Sequence, residues 1–293
     1  MLGFGKNDDR RAPAKAGRGE ELTDTLGSDP AALERHAGMS GKLLIKSLDT
    51  AMSWQTDMIA GYVRKLRARH PEETPAQIQD RIDAQFLTLV TGSGGAAGGA
   101  AVVPGIGFVT GLGAIAVESL AFLEAAAWHT LASARLRGID IDAAERRRSL
   151  ILVSILGSSG TALVAATIGE DGLRNRVARD STATLLTRMG LPQLGGLNKQ
   201  MLKMARKRLS KSAKFAVIGK LMPMGIGAVV GATANRRMGR TLIDRARASL
   251  GPLPADFDSD LGVGPDDGSD PEVPVDARAV AADAAEVLGE DRA

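Results

Sequence analysis

From Pro30 onward, apolar residues return at helical intervals. In PAALERHAGMSGKLLIKSLDTAMSWQTDMIAGYVRKLRARH, Leu43, Ile45, Leu48, Met52, Ile59, Val63 and Leu66 fall near one face of a 3.6-residue period. The segment predicts two helices, broken around Gly38 to Gly41. Next, Thr74 precedes Pro75 and Gln77 lies three residues beyond the threonine, which is a capping box with proline at the first helical position. The helix it opens runs through Ile82, Phe86, Leu87 and Val90 into a glycine-rich stretch, and should stop or kink at Pro104. A further helix extends to Arg137, with Gly138 as its stop after the basic pair Arg135 and Arg137. Asp142 with Glu145 marks another start, ahead of RRRSLILVSILGSSGTALVAATIG, which reads as one helix or a broken pair. Short helices then carry LLTRMG and NKQMLKMARKRLSKSAKFAVIGKL, and Pro223 opens a final one that ends at Gly251. No segment alternates with period two, so the expected fold class is all-α, a compact multi-helix bundle.

The stretch TGSGGAAGGAAVVPGIGFVTGLG, from Thr91 to Gly113, holds nine glycines and no charge. Gly107 with Gly111, Gly95 with Gly99, Gly94 with Gly98 and Gly227 with Gly231 are small-xxx-small pairs that strip one helix face of side chains. Each interior glycine costs about 1 kcal/mol against alanine in water, so their number points to a return in close backbone packing. Charge is also missing from Ala84 to Val117, Ser149 to Gly169 and Leu221 to Asn235. The first two runs exceed the length needed to span a bilayer, but glycine, alanine, a central proline and SSGT keep their apolarity modest. Buried helices and shallow or re-entrant insertion both fit, with burial ahead. A dinucleotide loop fits poorly. Gly105, Gly107 and Gly111 approximate its glycine pattern, but GGAAGGAA and Pro104 replace the strand that should feed the loop. Lys42 and Lys220 follow glycines without the Ser or Thr and the spacing of a P-loop.

Composition narrows the chemistry. Aromatic residues make up 3% of the 293 positions, so a core must be built from small side chains at short distances, which disfavours β-sandwiches. With no cysteine, disulfides, thiolate metal sites and cysteine nucleophiles are excluded, and three histidines leave little for metal binding. No metal or cofactor is expected. The opening MLGFGKNDDRRAPAKAGRGEE lacks an apolar core of signal-peptide length, which predicts a cytoplasmic protein. The net charge of +3 conceals a division: residues 256–293 carry twelve acidic and two basic side chains, leaving the rest strongly basic. Residues 1–30, rich in Gly, Pro and mixed charge, predict a disordered arm; 31–250 form the helical domain; 251–293 predict an acidic, mostly disordered tail, with a short helix possible in ARAVAADAAEVLGE.

Between Asp180 and Asp244 there are twelve basic residues and no acid. Leu197, Leu202, Ala205, Leu209 and Ala213 mark an apolar side, while Lys199, Lys203, Arg206, Lys207 and Lys211 take the other and Lys214 extends the run. Anionic lipid head groups suit such a face, as does a plain solvated surface that docks the acidic tail. Nucleic acid ranks lower because stacking aromatics are missing. Glu118, Phe122, Ala125 and His129 share one helical stripe, with acid and imidazole three turns apart, so they are the weak catalytic candidates. Ser158 and Ser159 in GSSG make no nucleophile elbow.

Three blocks resemble the EcsC family, particularly its actinobacterial members. They are YVRKLRARHPEETPAQIQDRI, then GGAAVVPGIGFVTGLGAIAVESLAFLEAAAWHTLASARLRGIDIDAAERRRSLILVSILG, then KFAVIGKLMPMGIGAVVGATANRRMGRTLIDRA. The last carries the family's pattern of lysine, proline, glycine-rich helix and closing asparagine as Lys220, Pro223, Gly225, Gly227, Gly231 and Asn235. Where many relatives have Asp in the middle block, this chain has Glu118, so a role needing the shorter carboxylate does not carry over. The resemblance implies an α-helical protein of the bacterial cytoplasm, associated by name with an operon for an ABC transporter, without an established catalytic mechanism. Together these observations predict a non-enzymatic regulatory or scaffold protein at the inner face of the plasma membrane, binding the anionic surface, a membrane protein such as a transporter, or both. A soluble hydrolase with its site near Glu118 and His129 is the alternative.

Overall fold

A computed structural model describes residues 30–54, 56–100, 107–168, 181–219, 226–257, 261 and 271–290. Among them lie ten helices and no strand. They are α1 (Pro30–Ser53), α2 (Thr56–Arg69), α3 (Pro75–Ala100), α4 (Gly107–Leu136), α5 (Ala144–Leu156), α6 (Ser158–Ile168), α7 (Thr182–Arg188), α8 (Leu191–Gly219), α9 (Ile226–Leu250) and α10 (Ala277–Glu290).

The central helix is α4. Its sequence is small or apolar on nearly every side, and a helix without a polar face has to be enclosed. Ala125, Ala126, Ala127, Leu131, Ala132 and Ala134 are all buried, and α1, α2, α3, α5, α9 and α10 pack around them. Trp128, the largest fully buried side chain, meets Tyr62 of α2 edge-on with ring centroids 5.1 Å apart. On one side of α4, helix α3 has its most extensive interface with α9; on another, α8 lies against α1 and α5. The α3–α9 approach is close because of Gly239. A Cβ there would come within 3.0 Å of Leu87 Cδ2 and 3.1 Å of Val90 Cγ2.

Local signals set most helix ends. The Thr74 N–H donates to Gln77 Oε1 at 2.8 Å and the Gln77 N–H to Thr74 Oγ1 at 3.4 Å, so the capping box forms as read. Gly138 stops α4 with φ 69°, and Gly157 separates α5 from α6 with φ 60°. Gly251 ends α9 with φ 87°, its N–H returning to the Arg247 carbonyl at 3.1 Å.

Two expectations are corrected. The break between the first two helices is not at Gly38 to Gly41: α1 runs through them and ends at Ser53, whose hydroxyl donates to the Thr50 carbonyl at 2.6 Å. Burial of Leu43, Leu44 and Leu48 outweighs the modest cost of interior glycine. Gly41 also has a use, since a Cβ there would meet Arg206 Nε of α8 at 3.0 Å. Asp142 does not cap α5; the cap position is Ala143, without a side-chain bond. Asp140 Oδ1 takes the Asp142 N–H at 2.8 Å, and Arg147 Nη1 binds the Ile141 and Asp142 carbonyls at 2.8 and 2.7 Å, so the loop is held from inside. Residues 277–290, ARAVAADAAEVLGE, take up the short helix that their sequence offered. They form α10, seated on α4 and α1, because Val280, Ala284 and Val287 supply a buried stripe.

The arm at 1–29, Pro104, Lys220, Pro223 and Gly225 lie outside the described residues. Gly95, Gly99, Gly107, Gly111, Gly227 and Gly231 are in helices, but their surroundings lie outside the description. Among the described residues, no helix is long and apolar enough to cross a membrane.

Candidate functional sites: a buried polar joint and an exposed basic face

Helices α3, α4 and α9 meet in a cluster of polar side chains. On α3, Gln79 and Asp83 are one turn apart; on α4, His129 and Ser133 are one turn apart, with Arg137 at the same interval just past its end; on α9, Arg247 reaches in from the last turn. His129 is 0% exposed and Asp83 7%. Asp83 Oδ1 lies 2.6 Å from His129 Nε2 and accepts from Gln79 Nε2 at 2.8 Å. Oδ2 accepts from Arg247 Nε at 3.0 Å and also from its Nη2, which in addition binds Asp80 at 2.9 Å. Gln79 Nε2 further donates to Ser133 Oγ at 2.9 Å. Arg137 Nη1 bonds Gln79 Oε1 at 2.7 Å and the Ser133 carbonyl at 2.8 Å, while its Nε binds the Gly251 carbonyl at 2.9 Å.

Burial pushes the Asp83 carboxyl up, but the hydrogen bond and charge of His129, with the bonds from Gln79 and Arg247, overcome this and hold it below its ordinary value. An ionised carboxylate only accepts, so His129 donates through Nε2. Burial pulls the Arg137 guanidinium down to about 10 against the attraction of Asp83, leaving it charged at neutral pH. Phe86 covers the imidazole, ring centroids 4.8 Å apart. Both Asp83 oxygens are thus occupied and the ring is enclosed. This arrangement joins helices, and the one ring nitrogen it leaves without a partner, His129 Nδ1, is buried.

Glu118 belongs to a different joint of the same three helices. Asn235 of α9 donates through Nδ2 to Glu118 Oε1 at 2.9 Å and to the Val90 carbonyl of α3 at 3.1 Å. Glu118 and His129 are eleven positions apart along α4, roughly 16 Å at helical rise. The two catalytic candidates are therefore not brought together. Glu118 and Asn235, which stand in separate blocks of the sequence, are. With Asp83 level with His129, and Val90 with Glu118, α3 runs antiparallel to α4. By the same pairs α9 runs parallel to α4.

The basic face is on α8. Leu194, Leu197, Met201 and Ala205 are buried, Leu202 and Leu209 half-buried, and Lys199, Lys203, Arg206 and Lys207 exposed. Lys199, Leu202, Lys203 and Arg206 line an open recess. The side chains of Lys211 and Lys214 lie outside the described residues. Met201 was missed as a core position. So was most of the joint: Asp83, Gln79, Ser133 and Arg247 went unremarked and Arg137 was read only as a helix-end cation, although His129-x3-Ser133-x3-Arg137 is a readable polar stripe along a buried helix and its end.

Among the described residues, no group of three or more His, Asp or Glu side chains could hold a metal ion. The architecture defines the chain as an all-α protein whose central helices are fastened at two polar joints. Compared with protein-family models, curated proteins and solved structures, the chain gives no match in any of the three.

Proposed function

We propose that this is a non-enzymatic regulatory or scaffold protein that works at the inner face of the bacterial plasma membrane and binds anionic lipid head groups through α8. The observation that carries this reading is the recess formed by Lys199, Leu202, Lys203 and Arg206, in which three cations surround one apolar side chain on an exposed helix face. Phosphate groups suit the cations and the first acyl carbons suit the leucine. The acidic α10 packs on α4 and α1, so that helix is not the main occupant of the face. The EcsC resemblance agrees with a membrane-proximal role and with a membrane-protein partner such as a transporter. The hydrolase alternative draws no support from Glu118 and His129, each engaged in its own buried joint.

Liposome flotation tests the reading. Binding to vesicles containing anionic lipid should exceed binding to neutral vesicles, and should weaken as salt shortens the range of surface charge. At about 1 kcal/mol per basic residue, changing Lys199, Lys203 and Arg206 together to Gln should lower partitioning roughly a hundredfold. Equal recovery with neutral and anionic vesicles at both low and high salt would sink the proposal.

A further inference from the structure

Glu124 is out of place by ordinary rules of burial. It is 2% exposed on the central helix, and its Oε1 has no hydrogen-bond partner. One turn along the same face, the fully buried Trp128 also leaves its indole N–H without an acceptor. A buried carboxylate without donors is costly, and the usual resolution is to keep the proton.

What faces this carboxyl is α10. From α10 comes Asp283 and from α1 comes Lys46, which binds Asp283 Oδ1 at 3.3 Å and Glu286 Oε2 at 2.9 Å, while Thr50 of α1 donates to Asp283 Oδ2 at 3.3 Å. The phenol of Tyr62 on α2, raised by burial and bonded to Gln85, meets the Trp128 ring one turn further along α4. Burial first, then the charge of Asp283, pushes the Glu124 carboxyl up to about 7, against the pull of Lys46. Lys46, raised by its bond to Glu286, stays charged throughout the neutral range.

The helix above is lightly held. Its buried contribution is Val280, Ala284 and Val287, with Leu288 half-buried opposite Gly113 of α4. Asp276 starts it, accepting the Arg278 N–H on Oδ1 at 2.8 Å. Residues 251–257 and 271–276, on the way to it, have no regular secondary structure.

We infer that α10 is a proton-controlled latch: it closes over α4 and α1 while Glu124 is protonated, and ionisation of Glu124 opposite Asp283 shifts it towards release. The sign follows from linkage. A released α10 opens Glu124 to water, where its ordinary value is 4.5, so the closed form holds the proton between that value and about 7. Closure is therefore strongest at the acid end of this window, weakens as pH rises through it and changes little above. Release would uncover an apolar groove on α4 and α1 and free Lys46, with no dependence on whether α8 meets lipid.

Hydrogen exchange of the full chain at pH 5.5 and 7.5, corrected for the intrinsic rate, reads this directly. The amides of 277–290 should be roughly twentyfold better protected at the lower pH, while those of α5 change little. Glu124→Gln keeps the shape and removes the charge, so α10 should be protected at both pH values, which separates this carboxyl from the three histidines of the chain. Equal α10 protection in the wild type at the two pH values, or a wild-type pH dependence surviving in Glu124→Gln, overturns the inference. Should the variant fail to fold, carbon NMR of the Glu124 carboxyl in the wild-type chain decides: a midpoint near 7 supports the latch, and one near 4.5 removes it.

Discussion

At Asp83 one carboxylate answers an imidazole, an amide and a guanidinium from three helices. Removing it strands the buried imidazole of His129 and takes one acceptor from the buried Gln79 amide. Asp83→Ala should cost about 3–5 kcal/mol in chemical denaturation at pH 7. Its folded value lies below the ordinary 3.8, so the contribution is full above that pH and disappears as pH falls through the lowered folded value. The wild type should accordingly lose its advantage over the variant in strong acid, which thermal melts across an acid series will follow. Glycine shows the same dependence on place. At Gly251, φ is 87° and a Cβ would lie 2.6 Å from Ser181 Cβ, so Gly251→Ala should lower stability by about 1–3 kcal/mol. Gly196 sits in α8 with nothing within 4 Å, and Gly196→Ala should raise stability by about 1 kcal/mol. Paired melts of the two variants check both signs.

At the level of elements, local chemistry was readable wherever the signal involved neighbours in sequence. Thr74 and Gln77 cap α3, Gly138 and Gly251 end α4 and α9, and the two faces of α8 divide as their spacing implies. What escaped depended on partners far along the chain. The glycine of Gly41 breaks nothing because Arg206 of α8 lies across it, and Asp142 is displaced as a cap because Arg147 and Asp140 take hold of its backbone. The candidate site shows the same limit. His129 was visible as a polar residue on a buried stripe, yet its partner Asp83 sits on another helix and Arg247 on a third. Helical periodicity tells which face of an element is buried; it carries no information on which two faces meet. The tail illustrates a further point. A stripe of Val280, Ala284 and Val287 is too short to hold a helix by itself, and becomes one only against the seat that α1 and α4 provide.

For the whole molecule, charge is divided by place: a basic helix face on α8 and an acidic helix seated on α4 and α1. That division lets the proposed lipid contact and the inferred closure of α10 be measured separately. The same plan also governs how the chain is made. Helix α3 finds its most extensive interface in α9, and Asp83 and Val90 of α3 find partners in Arg247 and Asn235 of α9. A ribosome therefore exposes the apolar faces of α3 and α4 long before the helix that covers them is synthesised. Such non-local pairing slows folding and leaves early segments open to wrong associations. Nascent chains arrested while α9 is still in the exit tunnel should be cut readily by protease within α3 and α4, and become resistant once a C-terminal linker long enough to bring α9 out of the tunnel is added before the arrest site. Until its last large helix arrives, the emerging polypeptide holds open the apolar helix faces that its finished form conceals.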